Sequence, residues 1–241
     1  MDAQKEPIRN EIEEIHRRYA KRSNAGQDNL YNPVLPCNAL WRAETHVEMA
    51  ALLNLWLGPE RNLGDCIVAE IGCGSGSNLL EMIRFGADPS NMLANELLPH
   101  RVTSARARLP ASVKFFPGDM REAEIAPGSV DLVLQFTVLS SVLDPVVRRA
   151  VAETAWSWLK PGGAFLSYDF VYDNPRNPDV RKVTVQELRG IFPDALFDVR
   201  RVTLAPPVAR RIAGLSPELF RFLNLFPFLR SHALCLIRKP T

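Results

Sequence analysis

The first sixty residues carry two stretches of helical periodicity. In the first, apolar side chains recur every three or four residues, with charged residues on the other face, at Ile8, Ile12, Ile15 and Tyr19. This pattern predicts an amphipathic helix that lies on another part of the protein. The second stretch runs from Leu40 to Leu57, is strongly apolar and ends at Gly58-Pro59. The polar residues between the two, 24–38, predict an ordered loop or lid.

From residue 66 onward, short apolar runs alternate with helical stretches at Asn78–Phe85, Pro99–Leu109 and Pro145–Leu159. Five runs have the length of buried strands: Cys66–Ile71, Asn91–Glu96, Val113–Phe116, Val130–Gln135 and Ala164–Phe170. Strands joined by helices imply crossover connections and parallel pairing. We therefore expect an α/β protein with a doubly wound, mostly parallel sheet that has helices on both faces.

The chain changes character after residue 170. A loop rich in Pro and Asn precedes a short helix at Val185–Phe192, and strands at Phe197–Leu204 and Ala233–Ile237 bring the expected sheet to seven. The pattern has no internal repeat and no linker. We expect one domain over 1–241, with an N-terminal helical cap (1–60), a central core (61–170) and a C-terminal part (171–241).

Composition and charge exclude several classes of protein. With 241 residues, 46% of them hydrophobic and 23% charged, the chain can bury a full core and is not a disordered tail. The net charge of +2 provides no cationic field for nucleic acid, so no nucleic-acid partner is expected. The N-terminus is charged and lacks a long apolar run, which excludes a signal peptide or a spanning helix and indicates a cytoplasmic protein.

The metal-binding residue types are few and scattered. The four cysteines lack C-x-x-C spacing, and the four histidines form no cluster with them or with carboxylates. We expect neither a metal site nor a disulfide scaffold.

The sharpest local signal is the sequence Val68-Ala69-Glu70-Ile71-Gly72-Cys73-Gly74-Ser75-Gly76. An apolar strand here ends in an acid, three glycines alternate, and a helix follows. Glycines permit the sharp turn and the close approach of a ligand, and the free N–H groups of the helix start favour an anionic group. A dinucleotide fingerprint, G-x-G-x-x-G, would need glycine at position 77, where Ser77 stands, so the spacing disfavours NAD.

This arrangement resembles motif I of class I S-adenosylmethionine-dependent methyltransferases, and further motifs follow in order. In that family an acid after the second strand, here Glu96, holds the ribose. Pro117-Gly118-Asp119-Met120 resembles the adenine contact, and Gln135-Phe136-Thr137 stands at the motif beside the methyl group. The resemblance covers about residues 66–170 and implies S-adenosylmethionine as cofactor, with 61–170 binding it. The residues that it assigns to the cofactor are Glu70, Gly72, Cys73, Gly74, Gly76, Glu96, Leu97, Asp119, Met120, Gln135 and Phe136.

Acceptor residues are expected beyond the carboxyl end of the fifth strand, because open parallel sheets place their active sites there. Asp169 is the candidate base, or the group that orients a hydroxyl. Tyr168, Tyr172, Asn174 and Arg176 are candidates for the acceptor contact. From the cap, Tyr19 and Arg22 are expected to close over the cofactor.

Two motifs that are missing after the fourth strand reduce the range of possible acceptors. The Asn/Asp-Pro-Pro-aromatic motif of amino-group methylases of DNA and the Pro-Cys of cytosine C5 enzymes do not follow the fourth strand. The region 130–180 resembles, more loosely, a bacterial methyltransferase subgroup associated with surface polysaccharides. This favours O-methylation of a sugar, glycan or small-molecule hydroxyl. Methylation of another small metabolite, and a protein that binds S-adenosylmethionine without transferring its methyl group, remain alternatives.

The segment 215–230 is apolar with basic edges. It could lie buried as a helix between the last two strands, or contact a lipid-linked acceptor, a membrane surface or a second subunit. We expect a monomer or a homodimer.

Overall fold

The computed structural model describes residues 5–24, 32–175 and 177–241, and of residues 5–9 and 22–24 it describes the backbone alone. The strands of these ranges are β1 (Val68–Ile71), β2 (Met92–Glu96), β3 (Lys114–Pro117), β4 (Val130–Phe136), β5 (Leu159–Phe170), β6 (Leu196–Leu204) and β7 (Arg230–Arg238). The helices are α1 (Lys5–Asn24), α2 (Pro36–Leu57), α3 (Ser77–Arg84), α4 (Pro99–Arg106), α5 (Pro145–Trp158), α6 (Val185–Ile191), α7 (Pro206–Ile212) and α8 (Pro217–Asn224).

The strands form one seven-stranded sheet in the order β3-β2-β1-β4-β5-β7-β6. Strands β1 to β5 pair in parallel, whereas β7 runs antiparallel to both of its neighbours, β5 and β6. The expected α/β fold with seven strands is confirmed, and the sheet is mixed. The carboxyl ends of β1, β2, β4 and β5 meet at one edge, where the glycine loop also lies.

Three segments differ from the sequence-based expectation. Helix α2 begins at Pro36, four residues early, because proline is favourable in the first turn of a helix. Residues 160–163, which fall between the expected helix ending at Leu159 and the expected strand beginning at Ala164, belong to β5, which begins at Leu159. The stretch expected to hold one helix between the last strands holds two, because Ser216 caps α8 by accepting the Leu219 N–H at 3.0 Å and Pro217 opens it.

Alternation along the strands divides the core into two layers. On one face, Leu132, Leu134 and Leu166 pack with Leu52 of α2 and Leu79 of α3. On the other face, side chains of β4 and β5 pack with α5 and α6, among them Val133, Phe165, Val151, Trp158 and Leu188. Because neighbouring residues of a strand point to opposite faces, each strand serves both layers.

Helix α2 belongs to the layer on the first face. The Trp41 Nε1–H donates to the Leu204 carbonyl at 3.0 Å, and the Trp56 Nε1–H donates to the Gly162 carbonyl at 3.1 Å. The Glu44 carboxylate accepts the Thr203 N–H at 3.0 Å. These bonds fix α2 to β5 and β6, so α2 belongs to the layers around the sheet and is not part of a separate cap.

Helix α1 lies against the loop that follows β4. The buried Arg18 donates to Glu11 Oε1 at 2.8 Å and to the Ser141 carbonyl at 2.9 Å. Glu11 also accepts the Leu143 N–H at 2.8 Å. Ile15 packs on the second core layer, as the apolar stripe of the helix predicts.

The buried guanidinium of Arg148 on α5 joins three separate segments. Its Nε–H donates to the Val142 carbonyl at 2.9 Å, and its Nη1 donates to the Lys182 carbonyl at 3.3 Å and to Glu187 at 3.0 Å. It therefore ties the loop after β4 to the start of α6.

We predict that Arg148→Ala lowers the free energy of unfolding by about 3 kcal/mol, because it removes a buried side chain and leaves two carbonyls and the partly buried Glu187 carboxylate without their donor. Arg149→Ala is the matched control: that side chain is exposed and pairs with Glu153 on the same helix. Its effect should stay within about 0.5 kcal/mol. Urea unfolding measures both variants, and equal effects would show that the Arg148 network does not stabilise the fold.

Candidate active site

The glycine loop between β1 and α3 has a backbone that requires glycine. Gly72, Gly74 and Gly76 have φ angles of +59°, +58° and +83°. A Cβ at Gly72 would stand 2.5 Å from the Val138 Cγ2, and a Cβ at Gly76 would stand 2.8 Å from Leu109. Left-handed backbone and lack of space therefore act together at two of the three positions.

Glu70 lies buried below this loop with half of its carboxylate unpaired. The Asn78 Nδ2 donates to Glu70 Oε1 at 2.7 Å, whereas Oε2 has no hydrogen-bond partner. Burial and, to a smaller extent, the nearby Glu96 raise the pKa of Glu70 to about 8, against the hydrogen bond from Asn78. The site thus presents a buried acceptor atom without its donor.

Glu96, at the end of β2, is bonded to the glycine loop itself. Its Oε2 accepts the Gly74 N–H at 2.7 Å and its Oε1 accepts the Leu98 N–H at 2.9 Å. The Cys73 N–H donates to the Asn95 carbonyl at 2.8 Å, while burial raises the pKa of the Cys73 thiol. Leu97, half-buried, follows Glu96 at the same edge.

Asp119 and Met120 follow β3 and make internal contacts. Asp119 accepts the Arg121 N–H at 3.0 Å and forms an ion pair with the Arg121 guanidinium. Met120 is buried in the second core layer beside Ile71. The Asp119 carboxylate is therefore already bonded within its own turn.

Gln135 shapes the loop that follows β4. Its Nε2 donates to Ser167 at 2.6 Å and to Asp169 at 2.8 Å, and its Oε1 accepts the N–H groups of Val138 and Leu139 at 3.2 and 3.3 Å. All of its polar atoms are thus used inside the protein. The side chain fixes the loop and has no free group to offer a ligand.

Two residues with left-handed backbone meet at Tyr168. Thr137 has a φ of +58° and Thr203 a φ of +67°, a rare conformation for β-branched residues. The Thr137 N–H donates to the Tyr168 carbonyl at 2.8 Å, and the Tyr168 hydroxyl bonds the Thr203 Oγ1 at 2.7 Å. Such strain, of order 1–3 kcal/mol at each residue, persists where surrounding contacts hold it and clusters at functional sites.

A cavity of about 290 Å³ opens between α2, α3 and the ends of β4 and β5. Its floor is aromatic: Phe136 stacks on Tyr168 at 5.4 Å between ring centroids, and Tyr168 stacks on His232 at 4.6 Å. His232 stays neutral, because burial and the nearby Arg201 lower its pKa to about 3. The lining residues are Asn38, Trp41, Arg42, Thr45, His46 and Met49 from α2, Ser77, Asn78 and Glu81 from α3, and Phe136 and Tyr168.

A charged cluster stands in the wall of this cavity. The His46 Nδ1 lies 3.0 Å from Glu81 Oε2, and the Arg42 guanidinium lies 3.6 Å from Glu81 Oε1. A carboxylate can only accept, so Nδ1 carries the proton of this bond. This is the arrangement of a histidine base oriented by an acid.

Asp169 does not line the cavity, which corrects its expected place as the base. It neighbours Tyr168 on β5 and therefore points to the opposite face, where it is 3% exposed and bonded to Gln135. Burial raises its pKa to about 6, against hydrogen bonds from Ser140 and Gln135.

Of the four expected acceptor residues, Tyr168 lines the cavity and two others do not. Tyr172 is exposed beneath the Arg201 guanidinium, and Asn174 is exposed in the loop after β5. The reason is the course of that loop, which turns to α6 on the other face of the sheet: the Arg181 N–H donates to the Ser140 carbonyl at 2.9 Å. Arg176 lies outside the described residues.

Of the two cap residues, Tyr19 stands between the glycine loop and the loop after β4. Its hydroxyl lies 3.3 Å from Ser141 Oγ, and the Arg101 guanidinium covers its ring at 4.6 Å. The side chain of Arg22 lies outside the described residues.

The sequence interpretation assigned no acceptor residue to α2, although it considered Arg42 for the carboxylate of the cofactor and His46 as a weaker candidate for the base. Asn38, Arg42 and His46 recur every four residues and so share one face of an otherwise apolar helix. That periodic polar stripe was the available signal. No pattern in the sequence pointed to Glu81, because its contact with His46 joins two helices, and the two residues are 35 positions apart in the chain.

Residues 68–163 match the model of a family described as a methyltransferase domain. This part of the chain is thus a methyltransferase domain. The match and the solved methyltransferase structures described below confirm the predictions of the enzyme class and of S-adenosylmethionine as the cofactor. The matched region contains the glycine loop, Glu96 and the loop after β4.

A curated relative and two solved structures are similar to this methyltransferase. The Magnesium-protoporphyrin O-methyltransferase of Rhodobacter capsulatus is 33% identical over 96 residues, which are 38% of this chain and 41% of the relative. The match thus spans less than half the length of the relative. An S-adenosylmethionine dependent methyltransferase from Mesorhizobium loti superposes with a TM-score of 0.57 at 20% identity, over 80% of this chain and 97% of that one.

The second structure is 1,6-didemethyltoxoflavin-N1-methyltransferase from Burkholderia thailandensis, which holds 1,6-didemethyltoxoflavin and S-adenosylhomocysteine. It superposes with a TM-score of 0.61 at 17% identity, over 92% of this chain and 86% of that one. At this level of identity the two structures establish the common fold. None of these three relatives is named for a polysaccharide, so they do not support the expected resemblance to a polysaccharide-associated subgroup.

We predict that Asp169 makes the stability of the methyltransferase depend on pH. The raised pKa means that the folded state holds the proton more tightly, so stability from this group is present at low pH and declines as the pH rises through about 6. Relative to Asp169→Asn, the wild type should lose about 2–3 kcal/mol of unfolding free energy between about pH 4 and 8. Urea unfolding across this range tests it, and parallel profiles for the two proteins would contradict the assignment.

Proposed function

We propose that this methyltransferase methylates an oxygen of a small acceptor that enters the cavity between α2 and α3, with His46 as the base. The observation that carries the proposal is the His46–Glu81 pair in the wall of that cavity, 3.0 Å apart. Ser77 and Asn78 line the same cavity and follow directly on the glycine loop, so the acceptor would lie next to the cofactor region.

The residues of the glycine loop and of the two buried acids suit S-adenosylmethionine. Glu70 Oε2 has no hydrogen-bond partner, and a donor group of the cofactor would supply the missing hydrogen bond. Each oxygen of Glu96 accepts one backbone N–H and keeps a second lone pair for the ribose hydroxyls. Gly72, Cys73, Gly74, Gly76 and Leu97 would contribute backbone and apolar contact.

Three of the expected cofactor contacts would act in another way. Asp119 and Gln135 would position their loops, because their side chains are bonded internally. Met120 would support the region from the core. Phe136 would face the acceptor, and Tyr19 would cover the region from α1, with Arg22 as a further candidate.

When bound, S-adenosylmethionine would supply a methyl group on a positively charged sulfur. The acceptor oxygen would bond to the methyl carbon in line with the carbon–sulfur bond, and the sulfur would leave as the neutral thioether of S-adenosylhomocysteine. The protein holds the acceptor oxygen in place and excludes water. His46 takes the hydroxyl proton of the acceptor on Nε2, and Glu81 stabilises the imidazolium that forms. Arg42 is available to an acidic group of the acceptor.

The walls of the cavity favour a planar or partly apolar acceptor. Trp41, Phe136 and Tyr168 offer ring surface, which suits an aromatic hydroxyl or the apolar face of a sugar. The relative that is named for O-methylation of Mg-protoporphyrin supports oxygen as the target. A sugar or glycan hydroxyl therefore stays within the proposal, and another small metabolite is the alternative.

The expected division of the chain is kept with one change. Residues 61–170 would bind the cofactor, but the acceptor would meet α2 from the first sixty residues more than the loop after residue 170. A binding protein without transferase activity is the competing function, and the His46–Glu81 pair favours transfer.

Methyl-labelled S-adenosylmethionine identifies the acceptor. The purified protein and the labelled cofactor are added to an extract of cells that lack it, which is then separated into metabolites, glycans, lipid-linked sugars, nucleic acids and proteins. Label among metabolites or glycans supports the proposal and distinguishes its two forms. Cofactor binding without label in any fraction would contradict transfer.

We predict that His46→Gln lowers turnover about 10²-fold or more, the usual effect of losing a general base, and leaves cofactor affinity unchanged. Glu81→Gln should lower turnover less and shift its pH profile, since it orients and stabilises the base. His16→Gln, on the exposed side of α1, is the control. Undiminished turnover in His46→Gln would remove the residue from catalysis.

We also predict that Glu96→Ala weakens cofactor binding by roughly 1.5–3 kcal/mol, the magnitude for hydrogen bonds to a charged group. Glu96→Gln keeps one acceptor for the backbone and should lose less. The control is Glu124→Ala, which removes an exposed acid. Calorimetry with S-adenosylhomocysteine measures affinity, and an unchanged value for Glu96→Ala would exclude the carboxylate from the site.

A further inference from the structure

The segment after β6 carries an exposed apolar surface, which we call the C-terminal apolar surface. Of the thirteen large hydrophobic side chains that are exposed within the described ranges, six lie in residues 215–228. They are Leu215, Leu219, Phe222, Leu225, Phe226 and Phe228. Three of them are aromatic and in contact: the Phe226 ring lies 5.5 Å from Phe222 and 5.7 Å from Phe228.

The exposure follows from the way α8 packs. Phe220 faces inward and is 2% exposed, in a small cluster with Cys37 of α2 and Leu204 of β6. Phe222 stands on the other side of the same helix and is 56% exposed. Because Phe220 fills the inner face of α8, Phe222 is left outside the core in the described part of the chain.

The charges around this surface are mostly positive. Between residues 206 and 229 the chain carries Arg210, Arg211 and Arg221, all exposed, and a single acid, Glu218. The segment thus has a net charge of +2, by three positive charges and one negative charge. Exposed phenylalanine and leucine side chains beside arginine are the composition of segments that lie in the interface of a bilayer.

We propose that the C-terminal apolar surface docks on a bilayer that contains anionic phospholipids. The phenylalanine and leucine side chains enter the interface, and the three arginines bind the lipid phosphates. The contact is peripheral, since no helix in the described part of the chain is long and apolar enough to cross a membrane.

A second copy of this chain suits the surface less well. An isologous dimer would bring the same surfaces together and place the three arginines of each copy against those of the other, with one Glu218 on each side. Anionic lipid instead supplies negative charge opposite the three arginines, so charge complementarity favours the bilayer.

The surface also adjoins the acceptor cavity through α2. The cluster that holds Phe220 includes Trp41, and Trp41 lines the cavity. Docking would therefore bring the lipid close to one wall of the active site. Membrane docking by this surface does not depend on which acceptor is methylated or on which residue is the base.

Vesicle flotation with the full chain tests the proposal. We expect the protein to float with vesicles of phosphatidylcholine and phosphatidylglycerol, to remain unbound with phosphatidylcholine alone, and to dissociate as salt is raised. Absence of flotation with the anionic vesicles would overturn it. So would a dimer in sedimentation equilibrium that Phe222→Ser dissociates, because the surface would then belong to a second copy.

Two variants separate the apolar and the charged contribution. Phe222→Ser with Phe228→Ser should lower binding to anionic vesicles at least about tenfold. Arg210→Gln with Arg211→Gln should lower it roughly 25-fold, about fivefold for each charge. The matched controls are Val146→Ser, exposed on α5, and Arg149→Gln, which should bind like the wild type. Equal binding by all four proteins would contradict the assigned surface, and their unfolding curves and affinity for S-adenosylhomocysteine show that the fold and cofactor site are intact.

Discussion

The packing of α2 against the sheet is the contact on which the candidate active site depends. Leu52, Leu53 and Trp56 bury this helix over the first face, and Glu44 holds its other end to the backbone of β6. Hydrophobic burial supplies the binding energy, whereas the hydrogen bonds of Glu44 and the tryptophans set position and rotation. A helix rotated by one residue would turn His46 and Arg42 away from the cavity, because each residue of a helix turns by about 100°.

The sheet imposes a second constraint, the alternation of side chains along β4 and β5. Phe136 and Tyr168 face the cavity, while Gln135 and Asp169, their neighbours in the chain, bond to each other on the opposite face. One face of each strand end thus lines the cavity, and the other fixes the loop that carries Thr137 in its strained conformation. Gln135 and Asp169 support the shape of the cavity from behind and do not line it.

The electrostatics of the site follow from burial. Glu70 and Asp169 both have a raised pKa because they are enclosed, and each keeps one oxygen without a hydrogen-bond partner. Asp169 lies on the face of the sheet away from the cavity, where Gln135 donates to its other oxygen at 2.8 Å. Glu70 keeps one oxygen without a donor below the glycine loop, where a ligand would supply it. An unpaired buried oxygen is costly in a protein interior, which is why it points to a binding site.

The sequence by itself determined the features that depend on neighbours along the chain. The strand and helix pattern, the glycine loop with Glu70 and the position of Glu96 are local, because periodicity and backbone conformation are properties of short segments. It did not determine that β7 would insert between β5 and β6, or that Asp169 would face away from the cavity. The tertiary structure alone decided the pairing of His46 with Glu81 and the exposure of residues 215–228. These depend on which helix packs against which, and contacts between distant segments are set by the burial of the whole chain and not by any one stretch of it.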